Sequence, residues 1–222
     1  MTIDIDMMRR LVQIALVFSE TDDERYQEVA QRISTATLRL AGSAAADLFA
    51  VIQGRLRNFP ALGTARRPVT APANAPLSLQ YEFAGRRLSH TVIAGDASEH
   101  VLTPFQLRSW KLLAKGRSGA LSGPTSAGKS YVLLLHMVEQ FRSGALKTAA
   151  YVVPTRALIN QVSDDATAAL AERGVNNVSI TSIPVDLSSE YEGQLLYGVT
   201  QERLDALLIS NPKIQLDLVD KL

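Results

Sequence analysis

The sequence has no cysteine among its 222 residues, which excludes disulfide bonds and metal sites built on thiolates. Its three histidines lack the spacing of metal ligands, so no histidine metal centre is predicted. The absence of cysteine is compatible with a reducing compartment, and we expect a cytoplasmic protein. With 46% hydrophobic and 20% charged side chains, the chain has the composition of an ordinary globular protein.

Long apolar runs are also absent near the start of the chain. The longest, Leu11 to Phe18, is interrupted by Gln13 and is far shorter than the ~20 residues that span a bilayer. No small-residue cleavage site of the secretory type follows it. We therefore expect no membrane partner.

Positive and negative residues nearly balance over the whole chain, but they are unevenly distributed along it. The formal net charge is only +1. Residues 1–100 have 11 Arg, no Lys and 11 acidic residues; residues 101–160 have 8 basic residues and 1 acidic residue; residues 161–222 have 4 basic and 10 acidic residues. The basic central segment is compatible with weak binding of nucleic acid.

Apolar residues recur at helical spacing from residue 4 to about residue 57, which predicts three helices at roughly 4–18, 22–41 and 43–58. Acidic residues after Thr21 favour the start of the second helix, because the helix dipole stabilises negative charge there. Residues 1–58 are thus predicted to be a helical accessory unit, with a possible protein partner. The inward face of the second helix is predicted to carry Tyr26, Val29, Ile33, Thr37 and Leu40.

Two different patterns follow this helical unit. Five prolines and glycines between residues 59 and 76 predict a linker and a domain boundary. Alternating apolar residues at 77–83 and 88–93 then predict a β-hairpin within residues 77–100, with Gly85 in the turn.

From Thr103 onward, helices and short apolar strands alternate. Thr103 and Pro104 predict the start of a helix that runs to about Lys115, and a strand should end at Ala120 and Leu121. The predicted elements after that are a turn and helix at 126–141, a strand at 148–153, a helix at 156–173, a strand at 178–183, a helix at 201–208 and a strand at 214–219. This order predicts an α/β fold with a parallel sheet over residues 101–222.

A phosphate-binding motif, G-x-x-x-x-G-K-[ST], lies between the predicted strand and the next helix. Its two glycines allow the backbone N–H groups to surround a polyphosphate, and the lysine can reach the β- and γ-phosphates. The serine hydroxyl can complete the shell of a Mg²⁺ ion. The motif consists of Gly123, Pro124, Thr125, Ser126, Ala127, Gly128, Lys129 and Ser130.

Two further segments flank this loop at informative positions. Gln106 lies 17 residues before Gly123, and the run PTRALINQ begins at Pro154. Together the three motifs resemble the N-terminal half of a superfamily 2 helicase of the DEAD/DEAH type. Their residues are most similar to those of the Ski2-like members. The resemblance covers residues 102–222 and implies a partial RecA-like domain that binds ATP and Mg²⁺.

The resemblance also implies roles for individual residues. Gln106 would read adenine, Lys129 would be the catalytic lysine and Ser130 would bind the metal. Residues that would contact DNA or RNA are Pro154, Thr155, Arg156, Thr200 and Arg203. Thr200 and Arg203 match a Thr-Pro-x-Arg element in which Gln201 replaces the proline. From the residues alone, Thr155 and Thr200 are equally well explained as helix N-caps, and Gln106 as a helix-start residue.

The Asp-Glu pair that ATP hydrolysis requires in this family is not found after the helix at 201–208. Asp220 stands in a predicted strand with Lys221 in the place of the glutamate. We therefore expect very slow hydrolysis, no unwinding by this chain alone, and an N-terminal part of a larger helicase.

Two other functions remain open from the residues. A small P-loop phosphotransferase needs arginines in a lid, and the chain offers Arg142, Arg156 and Arg173 without a recognisable lid. A non-catalytic interaction module would use the helices of residues 1–58 to bind a partner, and its P-loop would only stabilise the fold.

Overall fold

The structure is a computed structural model that describes residues 5–65, 69–116, 118–124, 127–183, 193–210, 216 and 218–221. The chain divides into two compact units. The first contains residues up to 93 together with 98–108, and the second contains residues 94–97 together with 109–222.

The first unit is mainly helical and contains all three helices predicted for its beginning. Gly42, which has a left-handed φ of +57°, ends the second helix, and a short 3₁₀ turn leads into the third. The elements are α1 (Ile5–Phe18), α2 (Glu24–Ala41), α3 (Ala46–Arg55), α4 (Pro60–Thr64), α5 (Leu77–His90), β1 (Thr91–Ile93), β2 (Glu99–Val101) and the start of α6 (Pro104–Leu113). Strands β1 and β2 pair antiparallel.

Helix α2 buries only part of the face that its sequence predicts: Thr37 is buried and Ile33 packs against the core, as predicted. Its buried side chains are the small residues Ala30, Ser34 and Thr37. Three predicted core residues are partly exposed instead, at 45%, 40% and 59%: Tyr26, Val29 and Leu40. Small side chains let α3 approach closely, and buried Gln53 donates a hydrogen bond from Nε2 to Ser34 Oγ at 2.9 Å. Close approach between helices therefore outweighs the burial of larger side chains here.

The segment predicted as a linker contributes to the core of the first unit. Phe59 and Leu62 are fully buried, and Pro60 begins the short helix α4. The ring of Phe59 packs edge-on against that of Phe83, with their centroids 5.4 Å apart. Residues 66–68 of this segment lie outside the described residues. The Pro/Gly content thus marks turns and a helix start within a packed unit.

The hairpin predicted with its turn at Gly85 is wrong, because residues 77–90 form α5. The alternating apolar residues do not share one side: Phe83 is buried, whereas Leu77 and Tyr81 are 68% and 75% exposed. Phe83 packs with the buried residues Phe49 and Phe59, and this tertiary contact favours the helix. The antiparallel pair that does form, β1 with β2, comes later in the chain.

One helical stretch among the described residues, Glu24–Arg55, is long and apolar enough to cross a membrane by length and composition. In the structure it is two helices, α2 and α3, joined by the 3₁₀ turn. Ile52 and Gln53 of α3 are almost completely buried within the first unit. Since core helices pass the same test, the stretch is weak evidence for a membrane span.

Gly54 in α3 and Gly85 in α5 form a matched pair for testing the packing of the first unit. A Cβ atom at Gly54 would lie 2.5 Å from Cδ2 of buried Phe83, whereas one at Gly85 would meet nothing within 4 Å. We expect Gly54→Ala to lower the free energy of unfolding by about 1–3 kcal/mol. Gly85→Ala should raise it by about 0.5–1 kcal/mol. Urea denaturation followed by circular dichroism measures both; a stabilising Gly54→Ala would contradict this packing.

The second unit confirms the predicted α/β class with a parallel sheet. Its strands lie in the order β4-β5-β3-β6, and every neighbouring pair is parallel. The elements are α7 (Lys129–Arg142), β3 (Thr148–Val153), α8 (Arg156–Glu172), β4 (Val178–Thr181), β5 (Gln194–Thr200), α9 (Gln201–Ser210) and β6 (Leu218–Lys221). The strand predicted at 214–219 is β6, and residues 211–215 and 217 lie outside the described residues.

Strand β5 is a central strand that the sequence analysis missed. All seven of its residues are buried, and it pairs with β3 on one side and β4 on the other. Successive side chains of β3 and β5 point to opposite faces of the sheet. One face packs against α7 and α8 through Met137, Phe141, Tyr151, Ile159, Leu170 and Leu196, and the other packs against α9 through Val152, Leu195, Tyr197, Leu204 and Leu207.

Candidate functional site

The predicted phosphate-binding loop ends directly at the start of α7. Gly128, the residue before α7, has φ +74° and ψ 35°, a left-handed conformation that favours glycine. The Ala127 N–H donates a hydrogen bond to the Pro124 carbonyl at 3.1 Å, and this closes a turn within the loop. Thr125 and Ser126 lie outside the described residues. The second glycine of the motif therefore has the conformation for which the motif needs it.

Lys129 closes the loop with its side chain. Its Nζ atom donates hydrogen bonds to the carbonyl oxygens of Gly123 at 2.7 Å and Pro124 at 3.1 Å. The ammonium group thus lies beside the first two residues of the motif. A positive charge at this place can exchange backbone carbonyls for phosphate oxygens, which are stronger acceptors.

The loop and α7 fit a polyphosphate bound with Mg²⁺. The first turn of α7 has no acidic residue, and no side chain caps its N-terminus. The N–H groups of this first turn and the positive end of the helix dipole therefore favour an anion. Ser130 is exposed in this first turn. The described part of the chain contains no group of three or more His, Asp or Glu side chains that could hold a metal ion. The hydroxyl of Ser130 as a ligand of Mg²⁺ stays a prediction.

The strand predicted to end at Ala120 and Leu121 is wrong. Residues 118–124 form no strand, and Ala120 is exposed. An apolar segment becomes a strand only where a neighbouring strand pairs with it. The described sheet consists of β4, β5, β3 and β6, and residues 118–122 pair with none of them.

Side-chain contacts position helix α7 near its middle and at its C-terminal end. His136 meets the Trp110 ring edge-on with their centroids 5.7 Å apart, and burial lowers the pKa of His136 below its usual value. At the other end, buried Gln194 donates from Nε2 to the carbonyls of Phe141 at 2.7 Å and Leu146 at 2.8 Å. These contacts fix the helix whose N-terminus faces the loop.

The residues predicted to contact nucleic acid lie at one edge of the sheet. In the parallel pair of β3 and β5, Val153 is in register with Thr200. Helix α8 follows β3 after two residues, and α9 follows β5 directly. The structure therefore brings together the start of α8, with Pro154 and Thr155, and the start of α9, although more than forty positions separate them in sequence.

The two segments at this edge differ in accessibility. Pro154, Thr155 and Arg156 are all exposed. Thr155 is the N-cap residue of α8 with extended backbone, but its side chain makes no capping hydrogen bond. Thr200, in contrast, is buried, and Arg203 donates from Nη1 to the Ser182 carbonyl at 3.0 Å. Arg203 thus ties α9 to the residue that follows β4.

Glu202, in the first turn of α9, is an acidic residue at this edge. Its pKa is lowered below the ordinary value because its carboxylate accepts hydrogen bonds from its own backbone N–H and from the Thr200 side chain. The positive charge of Arg156 lowers it further. Glu202 therefore interacts with Thr200 and Arg156, two of the residues predicted to contact nucleic acid.

Gln106 has a structural role at the start of α6. Its Oε1 accepts a hydrogen bond from the Thr103 N–H at 3.0 Å, and its own N–H donates to Thr103 Oγ1 at 3.3 Å. This reciprocal pair is a capping box, and it agrees with the predicted helix start. Gln106 is buried. Its predicted contact with adenine stays a prediction.

Strand β6 contains the acidic position that the sequence analysis singled out. It pairs with β3, with Asp220 in register with Tyr151 and Lys221 in register with Val152. Because Val153 ends β3, these positions come near the same carboxyl edge as Thr155 and Thr200. Asp217 lies outside the described residues.

Sequence reasoning missed β5 and Glu202. The run Leu195 to Val199 is continuously apolar apart from one glycine, which is a signal for a buried parallel strand. For Glu202 the signal was its position inside the Thr200 to Arg203 element. Its interaction with Arg156 depends on the register of β3 and β5, which the sequence does not display.

A comparison with protein families identifies this part of the chain. The family model described as DEAD/DEAH box helicase matches residues 103–220, just over half of the chain. The matched region includes the phosphate-binding loop, the starts of α8 and α9, and β6. No curated protein and no solved structure matches the chain.

Proposed function

This chain belongs to the DEAD/DEAH box helicase family, and we propose that it is the N-terminal, ATP-binding part of an ATP-dependent helicase or translocase. In this proposal it binds ATP with Mg²⁺ through the loop at 123–130 and binds nucleic acid weakly at the carboxyl edge of the sheet. By itself it does not unwind a duplex. An ATP-dependent helicase-type function agrees with its family.

The observation that carries the proposal is the position of the Lys129 ammonium group. Its Nζ lies 2.7 Å from the carbonyl oxygen of Gly123, so the side chain already reaches back over the loop. Gly128 provides the left-handed backbone at the helix start. A phosphate oxygen bound at the start of α7 would be within reach of the lysine and of the first amides of the helix.

The other residues of the proposed site have distinct roles. Ser130 would bind Mg²⁺, which when bound would neutralise charge between the β- and γ-phosphates. Gln106 would recognise adenine, and the capping box at Thr103 would hold its side chain in place. Thr155 and Arg156 would contact the sugar-phosphate backbone through a hydroxyl, a helix N-terminus and a guanidinium.

Slow hydrolysis is part of the proposal. Phosphoryl transfer depends on positioning and on charge stabilisation, and a carboxylate normally orients the attacking water. The resemblance places that carboxylate at position 221, where this sequence has lysine. Of the Asp-Glu pair that the family uses for hydrolysis, this chain would keep only the aspartate, Asp220, which would act as a metal ligand.

The experiment combines binding with turnover. We expect the melting temperature of the full chain to rise with Mg·ATP, following RT ln(1 + [L]/Kd). We expect little phosphate release, with or without single-stranded DNA or RNA. No rise in melting temperature would reject ATP binding. Rapid release stimulated by nucleic acid would show that hydrolysis does not need a glutamate at position 221.

A further inference from the structure

Helix α1 has a second apolar stripe besides the one that packs in the first unit. Met7, Leu11 and Ile14 follow one another at i, i+4 and i+7, and they are 61%, 37% and 42% exposed. They lie on a different side of the helix from buried Val12 and Ala15. The described structure therefore buries one stripe of α1 and leaves this one at the surface.

The exposed stripe continues from α1 onto α2. The short turn at residues 19–23 makes the two helices an antiparallel pair. At this turn the ring of Phe18 meets that of Tyr26, with their centroids 4.7 Å apart. Exposed Val29 and Leu40 follow Tyr26 along α2. These α2 residues belong to the face that the sequence predicts to be inward, so a second layer on this side would bury what the periodicity expects to be buried.

Charge is separated along this helical pair. Residues 19–25, at the turn, contain four acidic residues and one arginine. Residues 5–10 and 32–41, at the opposite end, contain four arginines and one aspartate. The formal charge is thus −3 at the turn and +3 at the opposite end. An identical pair that runs in the reverse direction complements both ends.

We propose that a second copy of this chain covers the face, with α1 and α2 of both copies packed about a two-fold axis as an antiparallel four-helix bundle. Under two-fold symmetry each copy presents the same surface, so the apolar residues of one meet those of the other. Arg10 and Arg39 of one copy then lie at the end where Asp22 and Glu24 of the other are exposed. The inference concerns residues 5–41 and does not depend on the proposed nucleotide site.

The charge pattern favours a second copy over a membrane surface. An anionic bilayer attracts the arginines at one end of the helical pair but repels the acidic residues at the turn. A reversed copy attracts both ends and covers the apolar stripe between them. The observations therefore select an occupant whose charge changes sign along its length.

The first test measures the oligomeric state of the full chain by sedimentation velocity, and we expect a dimer at micromolar concentrations. Ile14→Glu and Val29→Glu each place a charge in the apolar face, so each should weaken dimerisation by about a hundredfold or more. Leu88→Glu is the matched control, because Leu88 is 76% exposed on α5 of the same unit. It should leave the dimer unchanged.

Charge reversal tests the orientation of the two copies. The double variant Arg10→Glu/Arg39→Glu makes both ends of the pair negative, and Asp22→Lys/Glu24→Lys makes both ends positive. Each variant alone should dimerise roughly tenfold more weakly than the wild type at low salt, and an equimolar mixture should restore the dimer. In a parallel arrangement the same reversals would relieve repulsion and tighten the dimer. Far-UV circular dichroism verifies that every variant keeps its helices.

Each outcome decides for or against the proposal. A monomer at all concentrations up to about 100 µM overturns it. A dimer that survives Ile14→Glu and Val29→Glu overturns it as well, because its interface lies elsewhere. Species larger than a dimer overturn the closed two-fold arrangement. Charge-reversed variants that dimerise as tightly as the wild type overturn the antiparallel orientation. A dimer that is lost in both apolar variants, kept in Leu88→Glu and restored in the mixture supports the proposal.

Discussion

Replacing Lys129 with alanine should remove most of the stabilisation that Mg·ATP gives to this chain. The Nζ atom closes the loop through the carbonyls of Gly123 and Pro124, and it is the cation placed to meet the phosphates. A hydrogen bond to a charged group contributes about 1.5–3 kcal/mol, so losing it should weaken ATP binding by roughly a hundredfold. At an ATP concentration of about 100 Kd the wild type gains about 2.7 kcal/mol, and the variant should gain only about 0.4 kcal/mol.

The measurement is the melting temperature of each protein over a series of Mg·ATP concentrations. Lys111→Ala is the control, because it removes the same charge from an exposed position of α6, outside the loop. It should keep the full nucleotide-dependent shift. Equal shifts for Lys129→Ala and the wild type would show that ATP binds elsewhere or without the lysine.

Replacing Phe59 with alanine should cost about 3–5 kcal/mol of unfolding free energy, the usual penalty for deleting a buried aromatic ring. Phe59 is fully buried, and its ring packs at 5.4 Å against that of Phe83. The sequence analysis assigned this residue to a linker, where the same substitution would have almost no effect. The variant therefore decides between a linker and a packed segment.

Leu77→Ala is the matched control for this experiment. Leu77 lies on α5 of the same unit but is 68% exposed, so its loss should change stability by less than about 0.5 kcal/mol. Urea denaturation followed by far-UV circular dichroism reports on the helices of the first unit. A cost below about 1 kcal/mol for Phe59→Ala would contradict the burial of its ring.

Local signals in the sequence predicted the backbone conformation and the helix starts around the candidate nucleotide site. Gly128 adopts the left-handed conformation that the motif implies, and Lys129 starts α7. Thr103 and Gln106 form the cap that the helix start requires. Each of these features involves residues within a few positions of one another, so the chemistry that determines them is visible in the sequence.

Segments whose structure depends on distant partners were predicted less well. The alternation around Gly85 indicated a hairpin, but packing of Phe83 in the core produces a helix. The apolar residues Ala120 and Leu121 indicated a strand, but no neighbouring strand pairs with them in the described sheet. Strand β5 was missed although it is central, because no turn signal separates its apolar run from α9.

By itself, the sequence determined the α/β class, the left-handed glycine before α7 and the cap of α6, because glycine dihedrals, caps and periodicity act over a few residues. Only the tertiary structure decided which segments are core, which strands are neighbours and which charges meet. The register of Val153 with Thr200 joins two distant segments, and the influence of Arg156 on Glu202 reflects that pairing. Such contacts arise from side chains far apart in the chain, whose free energies of burial and pairing appear only once the sheet has formed.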